Sequence, residues 1–458
     1  MNRPDEFKAL NDLLQEGRPT LLLLYGRRRV GKTRLVQEFI SGKRGLYFYV
    51  PNAEEKTILG EFSRVVEEEF FGGFTFASFD SFMEYLAKKC GEGVIVAVDE
   101  FQRLANVDGA MSMIQKYWDE RLSKSKCFLI LSGSSMGAIR RVALRGDAPL
   151  YGRRTATLKI EPLKYLHLFE WFMRYSAEDL VKVYGAFGGT PAYLEHIDEG
   201  RTPEENIVEK ILSKRSPLHD EPEMLLMEEI RAPQRYMDML SAVAAGKNTI
   251  SEAADAVGLS RENATTYLKT LEILDLIERV TPVTEPEAKR GLYRIRDPFF
   301  SFWFRFVRPN KRQLELGLEE GVWESVREGF NRYLGQGFED VCCDALVEMT
   351  RRNMLPILVH RIGKWWRRET EINLLALETT GRRALALEAK WSCIDHREAR
   401  RTLAELAVKA AQVSGVEESL QGIMAKEIEG KEEIRREGFI ALDLQDIKNL
   451  TVNLRNEG

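Results

Sequence analysis

The residues best equipped for chemistry are Gly26, Gly31, Lys32 and Thr33, which stand in "GRRRVGKT" at the spacing G-x-x-x-x-G-K-[ST]. Glycines at those two places let the backbone turn its N–H groups inward around phosphate oxygens. The lysine reaches β and γ phosphates, and the threonine hydroxyl ligates Mg²⁺. Arg29, Val30, Gly31, Lys32, Thr33 and Arg34 are therefore the expected wrap around a nucleotide, ATP or ADP with Mg²⁺. Of Arg27, Arg28 and Arg29, which fill variable positions of the pattern, at least two are expected to face solvent or pair with acids. The metal needs a carboxylate from a second element. "VIVAVDE" offers Asp99 at the end of an apolar run, and Glu100 beside it can polarise an attacking water as a general base.

Such a loop works only between a strand that leads into it and a helix that leads out. "TLLLLYG" reads as a buried parallel strand and "KTRLVQEFISG" as a helix with a terminal glycine. "GLYFYV", "GVIVAVDE" and "CFLILSGSS" are further strand-like runs, separated by helical stretches over 79–91 and 111–124. That alternation predicts an α/β fold with a parallel sheet. After a last strand within "LYGRRTATLKIEPL" the pattern turns helical to about residue 245, interrupted by "GAFGGTPAYL". Residues 248–280 then read as helix, turn at Gly258, Ser260 as N-cap, second helix and strand, with a hairpin-like "TPVTEPEAKRGLYRI" behind them, the pattern of a winged helix-turn-helix. "DPFFSFWFRFVRP" looks like a buried helix that docks one domain on another. A smaller α/β domain closes the chain, with a helix over 330–349, strands "EINLLALE" and "RALALEAKW", a helix around 396–413 and a strand over 437–444. The expected boundaries are 1–163, 164–232, 233–300, 301–330 and 331–458.

Composition narrows the function classes. At 458 residues, 44% hydrophobic and 30% charged, the chain predicts several folded domains, and a net charge of −4 means that nucleic-acid affinity has to come from a local patch. Five cysteines without a C-x-x-C pair fit a reducing cytoplasm, and five scattered histidines give zinc chemistry little to stand on. No apolar run approaches the length of a membrane span, so no membrane partner is expected.

With these motifs the chain resembles, over essentially all its length, the archaeal ATPases of the STAND branch of AAA+ proteins. "NRPDEF" matches the family's adenine-side motif through Arg3 and Glu6, "GRRRVGKT" its Walker A and "VIVAVDEFQRL" its Walker B. "LILSGSSMG" matches the sensor strand, with Ser132 near the γ-phosphate, and "PLYGRRT" the motif whose arginines, Arg153 or Arg154, approach the phosphates. "FGGTP" matches the lid, which implies Pro191 and Tyr193 near the base. The resemblance implies a slow Mg²⁺-dependent ATPase switch, monomeric at rest, that repositions its later domains for an unknown protein partner. The alternative is a DNA binder or metal-dependent nuclease that ATP regulates.

The second helix of the helix-turn-helix carries Arg261 and Lys269 against Glu262 and Glu272, so it is either a packing module or a weak, salt-sensitive DNA contact. The C-terminal part resembles the restriction-endonuclease-like domain often fused to these ATPases. Its nuclease pattern maps onto Glu339, Glu371, Asn373, Glu388 and Lys390, with asparagine where an aspartate is expected. A neutral amide is a poor Mg²⁺ ligand, which implies a degenerate domain.

Overall fold

Thr20–Tyr25 is apolar at its four central positions and forms β1, buried on both faces as a central parallel strand requires. The computed structural model describes residues 3–70, 73–288 and 291–452. In it, β2 (Gly45–Tyr49), β3 (Ile95–Asp99), β4 (Phe128–Gly133) and β5 (Ala156–Lys159) join β1 in a parallel sheet of order β2-β3-β4-β1-β5. Side chains alternate across the sheet. Leu21 and Leu23 join Val96, Val98, Leu129 and Leu131 on one face, and Leu22 and Leu24 join Ile95, Ala97 and Ile130 on the other. The helices α1 (Pro4–Gln15) and α2 (Lys32–Ile40) cover the second face through Leu10, Leu35, Val36 and Phe39. The first face is covered by α3 (Glu55–Val66), α4 (Phe79–Gly91) and α5 (Ala110–Glu120). There Phe48, Phe62 and Phe82 meet with ring centroids 4.4, 5.1 and 5.3 Å apart, each pair worth about 0.5–1.5 kcal/mol beyond its burial.

The chain divides into two compact units, 1–162 with 273–275, and 163–272 with 276–458. The chain then runs through short helices to two helices joined by a turn, Ile250–Val257 and Arg261–Ile273. Thr249 and Glu252 cap the first helix reciprocally, Gly258 ends it in the left-handed region, and Ser260 Oγ accepts from Asn263 N at 3.3 Å to start the second. Two antiparallel strands follow, β6 (Ile277–Val280) and β7 (Leu292–Ile295); Lys289 and Arg290 of the expected hairpin lie outside the described residues.

The aromatic segment is a helix, Pro298–Phe302, continued by a π-helical turn over Trp303–Val307. Phe299 packs on Tyr193 at 4.6 Å, and Phe302 and Phe306 pack on Phe330 and Tyr333 at 5.5 and 5.6 Å. This helix runs through the expected boundary at 300/301, and a 33-residue helix, Glu319–Arg351, runs through the one at 330/331. Aromatic residues on both sides of each position pack in one core. The C-terminal sheet contains β8 (Val359–Arg367), β9 (Thr370–Glu378), β10 (Arg383–Ile394), β11 (Glu418–Ile428) and β12 (Ile440–Leu442), in the order β12-β11-β10-β9-β8. Two of these strands, β8 and β11, have no counterpart in the sequence reading, because polar residues such as Arg361, Lys364, Gln421 and Lys426 break their apolar runs. The expected last strand over 437–444 shortens to three residues. No helix among the described residues is long and apolar enough to cross a membrane.

Candidate functional site

Gly26 follows β1 directly, and a Cβ there would lie 2.2 Å from the Ile160 carbonyl oxygen. That carbonyl cannot retreat, because Ile160 N donates to Tyr25 O at 2.7 Å and closes β5 onto β1. The loop then turns through positive φ at Arg29 (68°) and Gly31 (91°) into the first turn of α2. Arg3 braces it from outside, donating from Nη2 to Val30 O at 2.7 Å while Nη1 holds Glu6 at 2.6 Å. Lys32 is 5% exposed and donates from Nζ to Arg27 O at 2.6 Å. Arg27 is buried, Arg28 half-buried and Arg29 exposed. Arg34 is exposed on α2.

The carboxylates stand at the C-terminal ends of the strands. Asp99 is 1% exposed, and its Oδ2 accepts from Thr33 Oγ1 at 2.7 Å and from Tyr47 Oη at 2.6 Å. Burial, reinforced by the Asp99 charge, holds the Tyr47 phenol well above its ordinary range, so it remains a donor to that carboxylate. Ser132 sits level with Asp99 on β4, fully buried, and its Oγ has no hydrogen-bond partner among the described residues. Glu100 adopts φ 55°, a conformation that costs a non-glycine residue about 1–3 kcal/mol. Its carboxylate accepts from Ser134 Oγ and from Gln102 Nε2, both at 2.6 Å. Gly133 makes room for this, since a Cβ there would meet Gln102 Oε1 at 2.3 Å. Tyr47, Gln102 and Ser134 were not singled out by the sequence reading. Only the "DEFQ" and "SGSS" contexts carried a signal for the last two.

Burial pushes the Lys32 ammonium down to about 8, against the opposing pull of Glu100 and Asp99. An anionic phosphate beside it would restore the charge. ATP binding is therefore expected to take up a proton above pH 8, and affinity to fall as pH rises through about 8 and beyond. Calorimetry at pH 8.5 in buffers of different ionisation enthalpy checks this; a buffer-independent heat would oppose it.

The remaining expected residues have other partners. Arg153 forms a two-point ion pair with Asp119 at 2.9–3.0 Å, and Arg154 donates to Ala143 O at 3.1 Å with its guanidinium 5.1 Å from the Tyr151 ring. In the second unit, Pro191 starts the short helix Pro191–Leu194 and Tyr193 is 1% exposed, donating to Glu221 at 3.1 Å. Gly189 packs so tightly on Leu163 that a Cβ would lie 1.7 Å from its carbonyl oxygen.

In the C-terminal sheet, Asn373 donates to Glu339 at 2.8 Å and accepts from Ala389 N at 3.1 Å. Lys364, a residue the sequence reading missed, pairs with Glu339 at 3.3 Å and also with Glu371. These two acids hold the lysine's charge against its burial, while Glu339 itself is pushed up by burial. Glu388 and Lys390 pair instead with Lys409 and Glu398 on the helix His396–Ala410, at 3.4 and 3.0 Å. Among the described residues Glu339, Glu371 and Glu388 do not gather as a three-ligand group.

Comparison with known proteins matches residues 1–197 to a family described as an ATPase domain predominantly from Archaea. Residues 303–402 match a family of archaeal and bacterial proteins of unknown function. MJECL04, an uncharacterized protein of Methanocaldococcus jannaschii, is 33% identical over 439 residues, which span 94% of this chain and 97% of its own. Of solved structures, the Walker-type ATPase PABY2304 of Pyrococcus abyssi aligns with a TM-score of 0.50 at 20% identity, over 66% of this chain and 95% of its own. ORC2 of Aeropyrum pernix, solved with ADPNP and ADP, aligns with a TM-score of 0.40 at 16% identity, over 71% and 95%. The likeness to the Pyrococcus protein concerns the fold.

Proposed function

Because the chain belongs to the same family as the Methanocaldococcus protein and carries an archaeal ATPase domain, we propose that it is a Mg²⁺-dependent ATPase switch of the STAND kind. In this reading it hydrolyses slowly and uses nucleotide state to rearrange its lid, a winged helix and the C-terminal domain. The observation that carries the reading is the convergence of Lys32, Thr33, Asp99 and Glu100 at the carboxyl end of one parallel sheet. Thr33 and Asp99 present hard oxygen donors 2.7 Å apart, and the buried, unpartnered Ser132 hydroxyl fits a triphosphate with its metal. Bound Mg²⁺ would neutralise charge on the β and γ phosphates. Lys32 binds and orients those phosphates, and Glu100, aimed by Ser134 and Gln102, accepts the proton of the attacking water at its carboxylate.

Slow turnover follows from the arginines. A guanidinium at the γ-phosphate is worth ~10³–10⁵ in rate. Arg153 is held by Asp119 and Arg154 by the Ala143 carbonyl, so we expect turnover below about 10⁻² s⁻¹. For the C-terminal domain we favour a restriction-endonuclease-like fold without metal-dependent cleavage, since the Lys364 ammonium stands where a cation would pair Glu339 with Glu371. Hydrogen exchange of the full chain with ADP and with a non-hydrolysable ATP analogue tests the switch. Protection should differ over 163–300 between the two nucleotides. Identical exchange, with both shown to be bound, would sink the switch while leaving an ordinary ATPase.

A further inference from the structure

Of the five histidines only His219 is buried, at 1% exposure, in the turn between the π-helical Val208–Leu212 and the helix Glu221–Glu229. Its ring is held from behind. Nδ1 lies 3.3 Å from Ile211 O, where only an N–H can serve, and the His219 carbonyl accepts from Trp303 Nε1 at 2.7 Å. That tautomer leaves the lone pair on Nε2. Nε2 is buried without a hydrogen-bond partner and faces Glu315 Oε1 at 3.4 Å. Two acceptors at that separation repel unless positive charge lies between them. The neighbouring Asp220 offers a second carboxylate, and the ligand atoms of the three residues lie within 4.8 Å of one another. Lys311 holds Asp220 Oδ1 at 2.5 Å and Glu223 Oε2 at 2.6 Å, which fixes the orientation of the Asp220 carboxylate from outside.

We propose that His219 Nε2, Asp220 and Glu315 bind one divalent metal ion of the zinc class. One imidazole nitrogen and two carboxylate oxygens form a borderline donor set that suits Zn²⁺, whereas Mg²⁺ favours oxygen alone, so the site is chemically distinct from the nucleotide site. The backbone carbonyl behind Nδ1 is the outer-shell partner that metal-bound histidines ordinarily have. Glu315 is half exposed at 52%, which gives the ion an entry path and a place for a water as fourth ligand. Bound there, the ion ties the turn before Glu221–Glu229 to the helix Lys311–Glu315, closing a long loop within the second unit.

The test uses the full chain, stripped with a chelator, returned to buffer containing Mg²⁺ and then titrated with Zn²⁺. Wild type should retain close to one zinc per chain after desalting and should melt at a higher temperature with zinc than without. Glu315→Gln changes a half-exposed side chain and should fold normally, which circular dichroism verifies, yet lose at least ~100-fold in zinc affinity, since even outer-shell changes cost ~10–100-fold. His219→Gln should lose the zinc as well; if it does not fold, Glu315→Gln alone decides. Equal zinc retention in wild type and Glu315→Gln, or none in either, would overturn the proposal.

Discussion

Lys32→Ala is expected to lower ATP affinity by at least ~100-fold, while the nucleotide-free protein stays as stable as before or becomes more so. Each charge-assisted hydrogen bond contributes about 1.5–3 kcal/mol, and a lysine that spans two phosphates loses enough for two decades of affinity. The stability half of the prediction follows from burial. The ammonium is pulled from 10.5 down to about 8 by desolvation, so at pH 7 the unfolded chain holds this proton more tightly than the folded one, at a cost of about 3 kcal/mol. That cost is complete below pH 8 and disappears as pH rises from about 8 past 10.5. The hydrogen bond to Arg27 O offsets part of it. Calorimetric titration and thermal melting of the same variant check both halves. Unchanged ATP affinity would remove the phosphate assignment, and a large loss of stability would contradict the electrostatic account of the empty loop.

Glu100→Gln is expected to reduce turnover by ~10²–10⁴ and to leave nucleotide binding intact, as loss of a general base does. The geometry makes this specific to Glu100. Asp99 is saturated on one oxygen by Thr33 and Tyr47, whereas Glu100 is held at a positive φ with each carboxylate oxygen aimed by one donor. Backbone strain of that kind persists where surrounding contacts over-determine the conformation, here Ser134 and Gln102. Glutamine keeps the shape and removes the proton acceptor. Single-turnover kinetics with bound ATP separate binding from chemistry; a variant that hydrolyses at the wild-type rate would exclude Glu100 as the base.

What was legible in advance was local. The apolar runs of β1, β3 and β4 read as buried strands because each is continuous over five or six residues, and "GRRRVGKT" and "VIVAVDE" placed both halves of the site at strand ends. The C-terminal sheet was half legible, for the same reason in reverse: β9 and β10 have apolar cores, while β8 and β11 are interrupted by charges such as Lys364, which pairs with Glu339 and Glu371, and Lys426, which pairs with Glu178.

The sequence by itself determined the kind of chemistry, since glycines at that spacing, a lysine, a threonine and a strand-end acid pair have few other uses. Only the tertiary structure decided which groups complete it. The order β2-β3-β4-β1-β5 inserts β4 between the loop strand and the Asp99 strand, which brings Ser132 level with Asp99 and Ser134 onto Glu100. It also paired Arg153 with Asp119 and Arg154 with the Ala143 carbonyl, and buried Arg27. These contacts join residues 11 to 34 positions apart. Spacing along the chain reports only neighbours on the same element, so the partners of a side chain emerge when strands are laid side by side.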